Sequence, residues 1–240
     1  MNVLSLFDGI SCGRIALERI GIPIERYVAY EYDEETIKKY PPYGVAAYVT
    51  SHNYPMIEQM GNVFDGDFTE YIGFDLLIGG SPCTNWSIAK AGVGEKHAPK
   101  RETKASGIGW DLFCQYTRAL REAKPRYFLY ENNESINDSI KDAITYELGV
   151  EPIMIDSADF SAQKRKRCYW TNIPINEWKQ QNIQFSDIMD TAGPFLTRSI
   201  EQYADCIQNK ELRGKCIGNG WTVDVIAHIL SNLKNGVVTE

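Results

Sequence analysis

The sequence predicts an α/β fold built on a doubly wound, mixed but mostly parallel sheet. Short apolar runs alternate along the chain with longer amphipathic segments, which is the pattern of strands joined by helical crossovers. Two of the apolar runs also end in a reactive residue: FDLLIGGSPC ends at Cys83, and YFLYENN carries Glu131. In an open parallel sheet such residues meet at the carboxyl edge of the strands, where ligands bind.

The predicted elements follow one another in a regular order. Apolar stretches predict strands at residues 2–7, 27–30, 76–78, 127–130, 151–156 and 167–171. Helical patterns predict helices at residues 13–19, 34–40, 110–123, 135–148 and 223–233. The third of these is the clearest, because Leu112, Phe113, Tyr116 and Leu120 recur at helical spacing. A turn-rich stretch after residue 40, a polar loop at residues 84–109 and a polar segment at residues 174–214 complete the chain.

Composition bounds the class of protein. A chain of 240 residues with 43% hydrophobic residues can form one domain with a substantial core, with or without a small appendage. No apolar run approaches the roughly 18 residues of a membrane helix, and the chain opens on a strand, so we expect a cytoplasmic protein without a membrane partner. The six cysteines form no CxxC pair and there are three histidines, so we expect free thiols and no metal site.

The charge pattern points in two directions. A formal net charge of −7 argues against a protein that binds nucleic acid over its whole surface. Basic residues nevertheless cluster at positions 90–104 and 164–167, and such clusters can bind phosphates with salt-sensitive affinity. A solvated charged loop is the alternative interpretation of both clusters.

Acidic residues at strand ends are candidates for ligand contacts. The phrase VLSLFDGISCG, residues 3–13, combines a strand, a glycine-containing turn and a helix start, which lets backbone N–H groups approach a ligand. It lacks the GxGxxG pattern of classical dinucleotide sites. Glu31, at the end of the second predicted strand, is placed to bind a pair of ribose hydroxyls, and Asp67 is a further candidate. Each acid could instead cap a helix or a turn.

Taken in order, these phrases resemble the motifs of the cytosine-5 DNA methyltransferase family. FDGISCG, AYEYD and GDF are similar to its first three motifs, and GGSPC is similar to its nucleophile motif. ENN, SAQKRKR and IGNGWTVDVIAHIL are similar to its later motifs. The pattern is closest to compact phage or prophage enzymes and to the mammalian de novo branch. The resemblance implies a Rossmann-like fold that binds S-adenosyl-L-methionine, in the cytoplasm of a bacterium or a phage-infected host cell.

The resemblance also implies roles for particular residues. Cys83 would attack C6 of a flipped-out cytosine, Glu131 would hold or protonate N3, and Arg167 would bind O2. Arg165 would support the loop and help to lower the pKa of Cys83. The residues implied for S-adenosyl-L-methionine are Phe7, Asp8, Gly9, Ile10, Glu31, Asp67, Phe68, Gly80, Asn219 and Trp221, the last as a stacking partner of the adenine. The residues implied for double-stranded DNA are Ser87, Lys90, Lys100, Arg101, Gln163 and Arg198.

The chain departs from the family pattern in several places. Ser11 and Asn133 stand where the family usually has glycine and valine, and Gly220 stands where it usually has serine; none of these changes removes a reacting group. The expected catalytic domain comprises residues 1–172 and 215–240, and residues 173–214 form a reduced target-recognition region. A region this small favours short or loose sequence specificity, or assistance from a second copy of the chain or an accessory protein.

Other functions remain open at this point. One is methyl transfer to RNA, as in the family's tRNA-modifying branch, which substrate preference would distinguish. Another is a catalytically inactive, DNA-binding or regulatory relative, against which the retention of Cys83, Glu131, Arg165 and Arg167 argues. A solitary enzyme, the protecting half of a restriction-modification pair and a phage defence against host nucleases would share the same sequence features.

Overall fold

A computed structural model of the protein describes residues 1–86, 101–181, 183 and 203–236. The strands are β1 (Asn2–Leu6), β2 (Arg26–Tyr30), β3 (Glu58–Gln59), β4 (Leu76–Gly79), β5 (Tyr127–Asn133), β6 (Ile153–Asp156) and β7 (Lys166–Thr171). The helices are α1 (Cys12–Arg19), α2 (Val45–Asn53), α3 (Ile108–Ala123), α4 (Asp138–Leu148), α5 (Lys210–Asn219), α6 (Val223–Leu230) and α7 (Leu233–Gly236). Among these residues, no helix is both long and apolar enough to cross a membrane.

The strands form one sheet in the order β3-β2-β1-β4-β5-β7-β6. The first five strands in this order are parallel, whereas β7 pairs antiparallel with both β5 and β6. The predicted mixed, mostly parallel sheet is therefore confirmed. The chain order reverses between β1 and β4, so the loops that follow these two strands diverge and open a crevice at the carboxyl edge of the sheet.

Apolar side chains cover both faces of the sheet, which explains why the central strands are almost continuously hydrophobic. Val3 and Ile78 face the cluster that contains α1 and α6, whereas Leu4 and Leu77 face the cluster that contains α3 and α4. Successive side chains on a strand point to opposite faces. The sequence LLIG of β4 is therefore buried throughout. The loop that follows β4 lies at the crevice.

The structure corrects one predicted helix and adds two helices that the sequence did not predict. Residues 34–40 form consecutive turns and not a helix, since the hydroxyl of Thr36 donates to the Asp33 carboxylate and accepts from the N–H of Val45. Helix α2 instead lies within the stretch that we predicted to be rich in turns. Helix α5 lies partly in the segment predicted to be polar. The sequence did not indicate it, because it has no apolar stripe and only Cys216 is buried on it.

The proposed target-recognition region is only partly described. Residues 182 and 184–202 lie outside the described residues. The boundary between this region and the catalytic domain stays a prediction.

Candidate active site

Two adjoining cavities lie in the crevice at the carboxyl edge of the sheet. The inner cavity, of about 260 Å³, is lined by the loops after β1 and β4, the end of β5, Arg165 just before β7, Arg167 near its start, and residues 218–221 at the end of α5 and just beyond it. The outer cavity, of about 530 Å³, is lined by the loops after β1 and β2, residues 61–64, part of α3 and the end of α5. Phe7, Gly9, Glu31, Pro82, Asn219 and Gly220 line both. The two cavities therefore form one continuous site.

Cys83 lies in the inner cavity, one residue beyond the proline that ends the loop after β4. Its side chain is partly exposed. Burial and the negative charge of Glu131 raise the pKa of the thiol above its usual value, whereas Arg167 and, more weakly, Arg165 lower it. Arg165 thus acts in the direction that we predicted, but the net pKa is raised. The raised pKa favours the protonated thiol in the ligand-free protein.

Glu131 is held by partners on both carboxylate oxygens. Arg167 Nε lies 2.8 Å from Oε1, and the indole Nε1 of Trp221 donates to Oε2 at 3.1 Å. The antiparallel register pairs Glu131 with Tyr169 and Asn133 with Arg167, which places Arg167 diagonal to Glu131 on the same face of the sheet. Burial raises the pKa of Glu131, and the two arginines and the indole N–H oppose that rise. The net shift is upward, so the site favours the neutral form of Glu131 more than water does.

Gly80 is required by this arrangement. A Cβ atom at Gly80 would lie 2.8 Å from Glu131 Oε2 and 2.9 Å from the Glu131 carbonyl oxygen. Gly80 also lines the inner cavity. The space that Glu131 needs is therefore a reason for glycine here in addition to the predicted cofactor contact.

Arg165 does not reach Glu131 directly. Its Nη1 donates to the carbonyl oxygen of Gly218 at 2.7 Å, which joins the loop before β7 to the end of α5. It lines the inner cavity beside Arg167. Its geometry is that of a residue that supports the wall of the site.

A buried hydrogen-bond network holds the loop that carries Cys83. The Ser81 and Tyr130 hydroxyls lie 2.6 Å apart, and Asn132 Nδ2 donates both to the Ser81 carbonyl oxygen at 3.2 Å and to the Tyr130 hydroxyl at 3.1 Å. All three side chains are almost completely buried. The network links the end of β4 to β5, and the sequence motifs alone did not reveal the role of Tyr130.

Replacing Tyr130 with phenylalanine should loosen this loop. The change leaves the Ser81 hydroxyl and one Asn132 donor without a buried partner, which costs about 1–3 kcal/mol. We expect urea denaturation to show this loss, whereas Tyr146→Phe, at a tyrosine that is 86% exposed, should leave stability unchanged. Equal stability of both variants would contradict the role of the network.

The loop after β1 has a left-handed backbone at three positions. Phe7, Gly9 and Ser11 have φ angles of 56°, 60° and 61°. At Ser11, where the family usually has glycine, the hydroxyl bonds to the Asp8 carboxylate and lies 2.9 Å from the Thr50 hydroxyl, which offsets the strain of the non-glycine residue. Asp8 also accepts from the hydroxyls of Ser5 and Tyr27, so its carboxylate holds the loop together from within.

Glu31 lies at the end of β2 and lines both cavities. Its Oε2 accepts the backbone N–H of Gly9 at 2.9 Å, which joins the loops after β1 and β2. Burial raises the pKa of Glu31 to about 7 despite this hydrogen bond. The carboxyl group thus stands where a ligand hydroxyl could donate to it.

The raised pKa of Glu31 predicts how the stability of the protein depends on pH. Because the folded-state pKa of about 7 lies above the usual 4.5, the contribution of Glu31 to stability is present below pH 4.5 and is lost as the pH rises through 7. Glu31→Gln removes this dependence, so the variant should gain about 1–3 kcal/mol relative to the parent between pH 5 and pH 8.5. Unfolding free energies of the two ligand-free proteins across that range test the prediction, and parallel pH curves would refute it.

Some predicted cofactor residues lie elsewhere. Asp67 and Phe68 are not among the residues that line the two cavities. The Asp67 carboxylate accepts from the backbone N–H and the hydroxyl of Thr69, so it caps a short helical turn, and Phe68 is fully buried in the core. Ile10 is also a core residue. Trp221 lines the inner cavity and contacts Glu131, which differs from the predicted stacking on an adenine.

Two predicted DNA-binding residues are engaged within the protein. Arg101 donates from Nε and Nη2 to the carbonyl oxygens of Trp86 and Ser135, so its guanidinium joins the chain on either side of residues 87–100. Its contact with DNA stays a prediction. The Gln163 side chain accepts from the Thr222 hydroxyl at 3.0 Å. Ser87, Lys90, Lys100 and Arg198 lie outside the described residues.

The outer cavity has walls that the motifs did not indicate. They are contributed by Asn62, Val63, Phe64, Ile108, Leu112 and Lys215. Arg118 on α3 holds one of these walls, because it donates to the carbonyl oxygens of Val63 and Gly66 at 3.0 Å and 2.9 Å. The helical spacing of α3 did indicate that Leu112 faces inward, but its partners could not be read from the sequence.

Two family departures also have structural reasons. A Cβ atom at Gly220 would lie 2.9 Å from Cys12 Sγ, so glycine is needed opposite this cysteine. Asn133 accepts the backbone N–H of Ser135 at 3.0 Å and thereby shapes the turn after β5. Among the described residues, no group of histidine, cysteine and acidic side chains is arranged to hold a metal ion.

Comparisons with known proteins decide the family. The model of the family described as C-5 cytosine-specific DNA methylase matches residues 1–211. The chain belongs to this family. An orphan methyltransferase of Bacillus phage rho11s is 34% identical over 132 residues, which cover 55% of this chain and 23% of the phage protein. A type II methyltransferase of Fusobacterium nucleatum is 26% identical over 239 residues, covering 86% of this chain and 61% of the relative.

The chain is shorter than these methylases, since it spans at most about two thirds of the length of the curated relatives it matches. A solved structure described as a DNA modification methyltransferase encoded within an E. coli prophage is similar in fold. It has a TM-score of 0.52 and 18% identity, and the match covers 79% of this chain and 54% of the other. This likeness supports the methyltransferase fold.

Proposed function

We propose that the chain is an S-adenosylmethionine-dependent DNA (cytosine-5)-methyltransferase. The observation that carries this proposal is the inner cavity, where Cys83, Glu131, Arg165 and Arg167 converge from separate parts of the chain. A thiol nucleophile beside a carboxyl group that can be charged or neutral is the combination that attack on a cytosine ring requires. The description of the family names cytosine as the base and C5 as the carbon atom that takes the methyl group.

The outer cavity fits the methyl donor. Its volume of about 530 Å³ is typical of small-molecule sites. The Glu31 carboxyl group would accept hydrogen bonds from the ribose hydroxyls of the methyl donor. The loop after β1 would pack against the remainder of the donor. When bound, S-adenosylmethionine supplies an electrophilic methyl group. Because Gly9 and Glu31 line both cavities, the donor and the base would be neighbours.

The residues of the inner cavity have distinct tasks in this reaction. The Cys83 thiolate bonds to C6 of cytosine, and the electrons of the C5–C6 double bond become available for C5 to take the methyl group. Glu131 holds N3 and stabilises the charge that develops on the ring, and Arg167 binds O2. Loss of the C5 proton to a base and departure of the Cys83 sulfur then restore the aromatic ring.

The substrate is double-stranded DNA with the target cytosine turned out of the helix, because C5 and C6 are otherwise shielded by stacking. Turning a base out costs a few kcal/mol. Occupation of the inner cavity by the base, with contacts to Glu131 and Arg167, would offset that cost.

Methyl transfer to unmethylated plasmid DNA tests the proposal. Bisulfite sequencing after incubation with S-adenosylmethionine should reveal protected cytosines within one short recognition sequence, and Cys83→Ala should give none. Transfer to tRNA but not to plasmid would replace DNA by RNA as the substrate. Absence of transfer to both would refute the proposed activity of this chain.

A further inference from the structure

Trp221 connects two parts of the site. Its indole N–H donates to Glu131 Oε2 at 3.1 Å, and the preceding residue, Gly220, packs closely against Cys12 at the start of α1. Trp221 stands two residues beyond the end of α5, directly after Gly220. The segment of Gly220 and Trp221 therefore lies between the start of α1 and the carboxyl group of Glu131 on β5.

Two glycines leave the space that the indole needs. A Cβ atom at Gly80 would lie 3.4 Å from Trp221 Nε1 and 2.8 Å from Glu131 Oε2, and one at Gly220 would lie 2.9 Å from Cys12 Sγ. Side chains at either position would shift the carboxyl group or the tryptophan. The contact between Trp221 and Glu131 is thus supported by the backbone on both sides.

The two partners of Glu131 differ in what they can do when a base enters. Arg167 is bonded to Oε1 through a flexible side chain, and the proposed reaction needs the same guanidinium for the base O2. The proposed reaction assigns the Trp221 ring no contact with the base, and the ring follows directly after Gly220, which packs closely against Cys12. Arg167 can therefore exchange Glu131 for the base, whereas Trp221 keeps its partner.

We propose that Trp221 is a positioning residue that fixes Glu131 Oε2 and leaves Oε1 for the cytosine base. This inference rests on the proposed function and adds a residue to it. Trp221 acts through Glu131, and its role differs from the predicted stacking on the adenine of the methyl donor.

The test replaces Trp221 with phenylalanine, which keeps an aromatic ring and removes the N–H donor. Trp178→Phe is the matched control, because Trp178 Nε1 donates to the Asp159 carboxylate at 3.0 Å and Trp178 lines neither cavity. The first measurement is the pKa of Glu131 in the ligand-free protein, obtained from a carbon-13 NMR titration. The charged and titratable groups around Glu131 are the same in both variants; they are Arg165, Arg167, Cys83, Cys168, Tyr130 and Tyr169.

We expect the pKa of Glu131 to rise in Trp221→Phe, because a hydrogen bond that favours the charged form is lost, and to stay unchanged in Trp178→Phe. The kcat for methyl transfer should fall about 10- to 100-fold. The calorimetric Kd for S-adenosylmethionine should stay within about threefold. In a Glu131→Gln background, Trp221→Phe should have little further effect on kcat, because both changes act on the same group.

Three outcomes would overturn the inference. They are an unchanged pKa of Glu131, additive losses in the double variant, and a large rise in the Kd for S-adenosylmethionine with kcat preserved, which would favour stacking on the donor. Should Trp221→Phe fail to fold, Trp221→Leu also removes the N–H donor, and the same readouts apply. If the parent protein transfers no methyl group, the proposed function fails, yet the NMR titration still decides whether Trp221 holds Glu131.

Discussion

Replacing Cys83 with serine should abolish methyl transfer and leave the binding of S-adenosylmethionine intact. A serine hydroxyl is far less acidic than a thiol, so it cannot supply the nucleophile that C6 requires at neutral pH. Loss of a covalent nucleophile commonly lowers kcat by several orders of magnitude, and we expect at least about a thousandfold here. Single-turnover transfer of a labelled methyl group to plasmid DNA measures the loss.

A control separates the chemistry from general damage. Cys114 lies on α3, is partly exposed and lines neither cavity, so Cys114→Ser should retain parental activity. Calorimetry should give both variants the parental Kd for S-adenosylmethionine, because the outer cavity does not include Cys83. Methylation by Cys83→Ser at a rate near that of the parent would exclude the covalent mechanism.

Replacing Arg167 with alanine should have the largest effect on stability. The pair that it forms with Glu131 is largely buried, with side-chain exposures of 16% and 10%. Removing one partner of a buried pair leaves an uncompensated charge and costs about 3–5 kcal/mol. Methyl transfer should be lost as well, since the same side chain is proposed to bind O2 of the base.

The pH dependence of this loss has a defined sign. Burial already raises the pKa of Glu131, and removal of Arg167 raises it further. Protonation then relieves the unpaired charge, so the destabilisation should be smaller at pH 5 than at pH 8. Adding Glu131→Gln should restore part of the stability at pH 8. Urea denaturation at both pH values provides the measurement.

An exposed ion pair serves as the reference for Arg167→Ala. Arg121 lies 3.7 Å from Glu147 with side-chain exposures of 67% and 36%, and such pairs contribute at most about 1 kcal/mol. Arg121→Ala should therefore change the free energy of unfolding only slightly. Equal losses for the two arginine variants would contradict the importance of burial at Glu131.

Local signals in the sequence were sufficient for most of the sheet. The strands that end at Leu6, Tyr30 and Gly79 are buried on both faces, so a mostly apolar run marks each of them. Helix α2 was missed because its apolar residues follow a segment rich in proline and tyrosine. Asp67 shows the same limit, since an acid after a glycine can cap a turn or bind a ligand. The structure places its carboxylate on the N–H of Thr69, and its contact with the cofactor stays a prediction.

The sequence by itself determined which reactive groups stand at the carboxyl edge of the sheet, because strand ends are marked by local patterns and a parallel sheet brings those ends together. That part includes Cys83, Glu131 and Glu31. Only the tertiary structure decided which groups touch. The antiparallel pairing of β5 with β7 sets Arg167 diagonal to Glu131, and the packing of the segment after α5 brings Trp221 to the second oxygen. Such contacts join residues far apart in the chain, so they depend on register and packing and leave no local pattern to read.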